Sequence, residues 1–457
     1  MSGTVEALPR SARPGARVTP VAHDHLLALD GIRFLAAFCV LAGHGYWYVV
    51  LQQIGSAALT PVSRVMMALP GPGMTLFFVL SGFVIHFNYH HSVGIGRGGN
   101  FSFFIARFSR LYPLFLAIFS IDFVHLLWFQ GYFSRTPRLN FDLFGPLPFF
   151  LSFTETWLFI PIGGHALYEH YGYVTSHAQG TAVMWSLSTE ALFYLIYPLF
   201  SVWLACRGGR SLAIFAATVA LAGLFYYGWV AYHQNDVQVL GIALFGTPAL
   251  AQNFAGWVNF YSPIGRMSEF LIGAAAAQYY LSSPRPGWVE RWPAGSSAVI
   301  AAAVTLWIVG TAISGSPLGG VNASLAAVPI AGFVLVSVLR RSWTSRFLSS
   351  PILVKCGEAS YSLYLLHYYT MHEWAAPRAA GLGLPGRIMV YFAGILISLA
   401  LARVVYLVFE RPALRWLRAN FRPLKLHITL GAVFLVTTFF CVIASLQIHA
   451  AGQLPPP

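Results

Sequence analysis

The sequence predicts a polytopic, all-α membrane protein, and three observations carry that prediction. Of its 457 residues, 57% are hydrophobic and only 9% are charged, whereas a soluble domain carries about 25% charged residues. Apolar runs of the roughly 20 residues needed to cross a bilayer recur along the chain. The basic residues gather in alternate gaps between those runs, as the positive-inside rule produces. An ordinary soluble globule is thereby excluded. In a soluble chain the net charge of +13 would suggest nucleic acid. Here loop placement accounts for it, no nucleic-acid motif is present, and an anionic ligand on the same face is compatible with it.

Eleven candidate spans follow in order: 26–50, 67–88, 112–129, 183–204, 212–232, 264–281, 297–314, 321–339, 357–374, 388–409 and 427–448. Arg10, Arg13 and Arg17 precede the first. Arg97, Arg107 and Arg110 follow the second, and Arg207 and Arg210 the fourth. Arg285 and Arg291 follow the sixth, Arg340, Arg341, Arg346 and Lys355 the eighth, and Arg411, Arg415, Arg418, Arg422 and Lys425 the tenth. The opposite gaps hold few, chiefly Arg64, Arg135, Arg138, Arg378 and Arg387. This parity predicts a cytoplasmic amino terminus. The apolar stretch 144–162 is read as re-entrant or interfacial, because a full span there would invert every later loop.

The expected organisation is a flexible cytoplasmic tail over 1–24, a membrane domain over 25–423, and an extra helix with a short exterior tail over 424–457. The first run is too long for a signal-peptide core and contains Arg33, so it reads as a retained anchor. Cys39, Cys206, Cys356 and Cys441 are scattered without CxxC spacing and read as packing residues. No inverted repeat of the transporter type is visible.

Chemistry is sought where ionisable groups enter apolar spans, because a charge at a helix centre costs about 2.5–3.5 kcal/mol on insertion scales. In the first span, LALDGIRFLAAFCVLAGHGYW, Asp30 and Arg33 can pair at i, i+3. His44 lies 11 residues beyond Arg33 on the same face, roughly 16 Å along the axis. Arg33 is thus expected near the cytoplasmic interface and His44 within the membrane, where an imidazole can take a proton from a hydroxyl and return it. Arg107 and Arg110 of the cytoplasmic stretch FIARFSRLYP are paired forks suited to phosphate or pyrophosphate. Glu190 enters the span of WSLSTEALFYLIYP beside Ser186 and Ser188. His367 and Glu358 belong to GEASYSLYLLH, Arg266 and Glu269 to PIGRMSEFLIG, and Glu410 with Arg411 to FERP, which reads mainly as anchoring. His86, His90 and His91, like His165, His170 and His177, lack partners at zinc-site spacing; they read as solvated or interfacial, and no metal is expected.

In this order, LDGIR with His44, FFVLSGFVI, ARFSRLYP, WSLSTEALFYLIYP, RMSEFLIG, GEASYSLYLLH and FERP resemble the acyltransferase-3 family of bacterial membrane O-acyltransferases. The match runs from about residue 27 to 412. The resemblance implies a ten-helix core, here with one extra C-terminal helix, in the bacterial inner membrane. It implies transfer of an acyl group, by default acetyl, from cytoplasmic acyl-CoA to a hydroxyl of an envelope glycan, lipid-linked sugar or small glycoside. Acyl-CoA is a co-substrate, and no tightly bound cofactor is implied. His44, Arg33, Asp30 and Glu190 become the expected catalytic set. Arg107, Arg110, Lys355 and Ser81 become the expected acyl-CoA contacts, with His367, Arg266 and Glu269 as further candidates. Related chains with an extra helix carry an exterior SGNH hydrolase-like domain; only nine residues follow the eleventh span here, so none is expected. The competing readings are a proton-coupled transporter of a sugar or acyl carrier, which would show flux without loss of acyl-CoA, and a scaffold, which would tolerate substitution at His44.

Overall fold

The computed structural model describes residues 23–52, 60–93, 97–124, 183, 185–245, 255–282, 300–302, 304–305, 319–339 and 342–420. The span expected at 427–448, the segment 144–162, Cys441 and His165, His170 and His177 lie outside them, as does most of the span expected at 297–314.

The regular elements among the described residues are all helical. α1 runs His23–Tyr46 and continues as a π-helical turn, Trp47–Leu51. The short α2 (Pro61–Ala68) leads into α3 (Pro70–Tyr89), and α4 spans Arg97–Val124. Then come α5 (Trp185–Ala205), α6 (Gly209–Tyr232), α7 (Gln234–Phe245), α8 (Pro263–Ser282) and α9 (Gly319–Leu339). α10 (Trp343–Leu348), α11 (Pro351–Glu358) and α12 (Ser360–Tyr368) follow, α12 passing into a π turn over Tyr369–Ala375. After the single turn α13 (Ala376–Ala379), α14 spans Leu384–Val405; a π turn, Tyr406–Glu410, joins it to α15 (Arg411–Asn420).

Among the described residues five helical segments are long and apolar enough to cross a membrane: Leu27–Leu51, Pro61–Tyr89, Trp185–Ala205, Gly209–Tyr232 and Leu384–Asn420. Their amphipathicity is weak, as expected of helices whose outer face meets lipid instead of water. Exposed Leu199, Leu221, Phe225, Phe392, Leu396 and Val408 make that outer surface apolar.

Helix association in lipid rests on close packing instead of water exclusion, so small residues set the interfaces. α3 packs on both α1 and α8. At the α3–α8 crossing, Gly82 lies against the Phe270 carbonyl and Gly273 against the Val79 carbonyl, so a Cβ on either would collide with facing backbone. Gly357 of α11 likewise abuts the Asp30 carbonyl of α1. That contact brings the start of α12 beside Arg33.

Two sequence expectations are corrected. Arg107 and Arg110 are helical residues in the third and fourth turns of α4, not part of a connecting loop, because the helix begins at Arg97 instead of near residue 112. His86 is fully buried instead of solvated. Its Nε2 donates to Gln278 Oε1 (2.8 Å) and its Nδ1 accepts from the Tyr197 hydroxyl (3.2 Å). Gln278 donates in turn to the Ala205 and Arg207 carbonyls at the end of α5. Complete pairing is what makes a buried imidazole tolerable, and it ties α3, α5 and α8 together.

Candidate functional site

A partly open cavity is walled by five elements. α1 gives Arg33; α3 gives Phe77, Leu80, Ser81 and Val84; α4 gives Arg107, Arg110 and Leu111; α5 gives Glu190 and Tyr194; α12 gives Ser360 and Tyr361. Each contribution follows helical spacing. Phe77, Ser81 and Val84 stand at i, i+4, i+7, Glu190 and Tyr194 at i, i+4, and Arg107 and Arg110 at i, i+3. The cavity therefore joins faces that are far apart in sequence.

Its polar groups form one connected system. Arg33 Nη1 donates to Asp30 Oδ1 at 2.7 Å, and both side chains keep a fifth to a quarter of their surface exposed. Arg107 donates to the Tyr89 hydroxyl (3.0 Å) and stands 5.0 Å from the centroid of that ring. Ser81 Oγ donates to Glu190 Oε1 at 2.7 Å, which fixes the carboxylate from across the α3–α5 contact. Glu190 and Arg107 interact as opposite charges, while Arg33 feels Arg107 and Arg110 as like charges. Behind the wall, the Tyr361 hydroxyl donates to the Leu111 carbonyl (2.6 Å). Buried Glu410 accepts from Ser362 Oγ (2.5 Å) and acts electrostatically on Arg110. Glu410 thus positions α12 and faces the arginine cluster, beyond the anchoring that FERP suggested. Lys355 is exposed on α11 and is not part of the lining.

Three turns further along α1, His44 meets His367 of α12, with Nδ1 of His44 3.0 Å from Nε2 of His367. The rings stack with centroids 5.2 Å apart. His367 is fully buried, whereas His44 keeps part of its surface accessible. The partners assign the hydrogens. A carbonyl only accepts, so the 2.5 Å contact from His367 Nδ1 to the Tyr364 carbonyl places a hydrogen on that nitrogen. In the neutral pair, His367 Nε2 then accepts from His44 Nδ1–H, and Nε2 of His44 is the nitrogen left with a lone pair. Both histidines occupy the last turn of their helix, immediately before a π-helical stretch, a feature frequent at functional sites.

The cavity and the histidine pair communicate through aromatic groups. Phe77 of the cavity wall stacks on Tyr364 at 6.2 Å, and Tyr364 lies 5.8 Å from His367. The Tyr364 hydroxyl donates to the Val183 carbonyl and sits 2.7 Å from Ser186 Oγ. α1 and α12 run parallel here, since Arg33 and Ser360 line the cavity while His44 and His367 meet farther along both. Arg266 and Glu269 stand apart from this cavity: they pair at 2.7 Å and are almost wholly buried.

Sequence reasoning missed Ser360, Tyr361, Tyr364, Tyr194 and Phe77. The signal was available, because Ser360, Tyr364 and His367 fall at i, i+4, i+7, and Ser186, Glu190, Tyr194 and Tyr197 form a similar stripe. Aromatic residues along such stripes were indistinguishable from core until their neighbours were known.

The described residues are therefore those of a helical membrane protein with an arginine-lined cavity leading toward a histidine pair whose inner member, His367, is fully buried. It belongs to the acyltransferase-3 family, whose model, described as an acyltransferase domain, matches residues 26–407. Among curated proteins, the chain is 26% identical to nodulation protein 10 of Rhizobium leguminosarum bv. viciae over 353 residues, covering 75% of this chain and 82% of that one. It is 26% identical to acyltransferase MdmB of Streptomyces mycarofaciens over 412 residues, 86% and 92% of the two chains. A putative O-acetyltransferase of Staphylococcus aureus strain MRSA252 is 23% identical over 381 residues, 80% of this chain and 57% of that one. No solved structure matches. Membership of the family makes the protein an acyltransferase.

Proposed function

We propose that this chain transfers an acyl group, by default acetyl, from acyl-CoA to a hydroxyl of an envelope glycan, lipid-linked sugar or small glycoside. The reading places a ten-helix core and an eleventh helix in the bacterial inner membrane, with the amino terminus and the arginine cavity on the cytoplasmic side. The observation that carries it is the convergence of Arg33, Arg107 and Arg110 on one cavity, with His44 three turns along the helix that supplies Arg33. A donor with a pyrophosphate and a long thin thioester arm fits that geometry. Arginine forks hold the phosphates. The arm passes Phe77 and Tyr364, and the thioester arrives beside His44.

The chemistry then follows from the hydrogen assignment. His44 Nε2 takes the proton of the acceptor hydroxyl as its oxygen attacks the thioester carbonyl carbon. The new C–O bond forms, the C–S bond breaks, and the proton passes from His44 to the departing coenzyme A thiolate. His367 holds His44 in the tautomer that leaves Nε2 free and shares charge while the ring is protonated, a role that triad logic gives to an orienting group. Asp30 holds Arg33, and Ser81 holds Glu190, which faces the reacting arm or the acceptor.

The test is purified protein in liposomes with labelled acetyl-CoA and a panel of glycan acceptors. Acetyl transfer by wild type and its loss in a folded His44→Ala variant are expected. Unimpaired turnover by His44→Ala would sink the assignment of the base. Acceptor flux without acetyl-CoA consumption would replace the reaction with transport.

A further inference from the structure

The cavity stops short of the histidine pair, and one ring marks where. Phe77 lines it, whereas Tyr364, His44 and His367 do not. α3 gives the order of groups along the path. Tyr89 at its end accepts from Arg107, Ser81 two turns back holds Glu190, and Phe77 lies one turn further back. α12 keeps the same order: Ser360 and Tyr361 line the cavity, Tyr364 follows, and His367 comes last. The boundary is the contact between Phe77 and Tyr364. Their rings are 15° from parallel with centroids 6.2 Å apart, within the range of attractive ring pairs.

The two rings are held differently. Tyr364 is 7% exposed, and its hydroxyl lies 2.7 Å from both the Val183 carbonyl and Ser186 Oγ. Phe77 is half-buried and carries no polar atom, so packing alone holds its ring, against Tyr364 and Phe78. Beyond the pair, Met74 of α3 and Val40 of α1 are buried in the same apolar cluster as Tyr364. Val40 lies one turn before His44. Interiors packed in this way respond to a single methylene.

We infer that Phe77 sets the size of the acyl group: it admits acetyl to the histidine pair and selects against longer chains. This rests on the acyl-CoA reading above. With the phosphates at Arg107 and Arg110, the acyl group is the leading end of the donor, and to reach His44 it must pass Phe77. Tyr364 is tied in place, so Phe77 is the ring that yields. The acyl group then comes to rest among Phe77, Tyr364, Met74 and Val40. A two-carbon group displaces little. Each further methylene pushes a packed side chain aside, and overfilling a packed interior is unfavourable.

Affinities for coenzyme A and its acetyl, propionyl and butyryl thioesters are measured on the full chain in nanodiscs, which requires no knowledge of the acceptor. Wild type is expected to bind the butyryl thioester at least roughly 10-fold more weakly than the acetyl one, the lower end of discrimination by a single methylene. Phe77→Ala should erase or invert that ratio while affinity for unacylated coenzyme A stays near wild type. Phe77→Leu should show a smaller shift in the same direction, and it decides the question if Phe77→Ala does not fold. Val84→Ala removes volume two turns nearer the arginines and should keep the wild-type ratio. Equal affinity of wild type for the acetyl and butyryl thioesters overturns the inference, as does a folded Phe77→Ala that keeps the wild-type ratio. Equal weakening of all four ligands in Phe77→Ala also overturns it and makes Phe77 a packing residue of the wall. If wild type binds none of the four, the acyl-CoA reading itself fails.

Discussion

Two arginine–carboxylate pairs in this molecule share one local recipe and play different parts. Asp30–Arg33 on α1 and Arg266–Glu269 on α8 are both spaced i, i+3, and both close at 2.7 Å. Their surroundings differ. Arg266 and Glu269 are 0% and 1% exposed. Arg266 Nε donates to the Phe260 carbonyl at 2.8 Å, and its guanidinium lies 4.0 Å from that ring's centroid, with Phe78 and Trp185 at 5.8 and 6.0 Å. Glu269 Oε1 also accepts from Thr75 Oγ1 at 2.9 Å, which joins α8 to α3. Asp30 and Arg33 are 25% and 21% exposed, and Arg33 faces the cavity. A charge closed in by its own partners holds helices together. One that opens on a cavity remains available to a ligand.

The largest effect should come from breaking the closed pair. Glu269→Ala leaves a fully buried guanidinium without its carboxylate, at a cost of about 3–5 kcal/mol, read as a fall in yield and in thermal stability in detergent. The double variant Arg266→Met/Glu269→Leu should recover most of that loss, because apolar replacement removes the uncompensated charge. Stability of Glu269→Ala equal to wild type would erase the contrast.

Next in size is the open site. Arg110→Ala should weaken coenzyme A binding roughly 10–100-fold, as loss of a charge-assisted contact does, while thermal stability without ligand stays near wild type. A stability loss as large as that of Glu269→Ala would make Arg110 structural instead.

His367→Ala addresses the region where the cavity ends. The acyl-transfer rate should fall roughly 10–100-fold, a fraction of the 10²–10⁴-fold contribution of general base catalysis, with donor affinity unchanged. His367→Gln, which offers a side-chain oxygen to His44 Nδ1–H, should restore part of the rate. Donor affinity falling in step with rate would show that His367 shapes the binding cavity and does not orient the base.

Asp30→Asn should give the smallest change. A partly exposed pair is worth about 0–1 kcal/mol, so melting should barely move, and coenzyme A affinity should shift by less than about fivefold, since 1.4 kcal/mol is tenfold. A stability loss comparable to that of Glu269→Ala would show the two pairs to be equivalent.

Composition and spacing made much of this visible in advance. A chain with 9% charge cannot cover a water-facing surface, so helices in lipid follow from composition alone. Asp30–Arg33 and Arg266–Glu269 follow from i, i+3 geometry, and the shared face of Arg33 and His44 from 3.6 residues per turn. The paired guanidiniums Arg107 and Arg110 were legible too, as groups whose chemistry suits phosphates. Spacing within one helix, however, says nothing about which helix lies opposite. Only the packing of α3 on α8 through Gly82 and Gly273, and of α11 on Asp30 through Gly357, decided the rest. It set Ser81 against Glu190, buried His86 against Gln278 and Tyr197, and left Lys355 outside the cavity. It also set His367 against His44, with Nδ1 of His44 3.0 Å from Nε2 of His367. Local sequence determined the chemical groups and their pitch along each helix; burial and partnership are properties of pairs of helices, and tertiary structure alone assigned them.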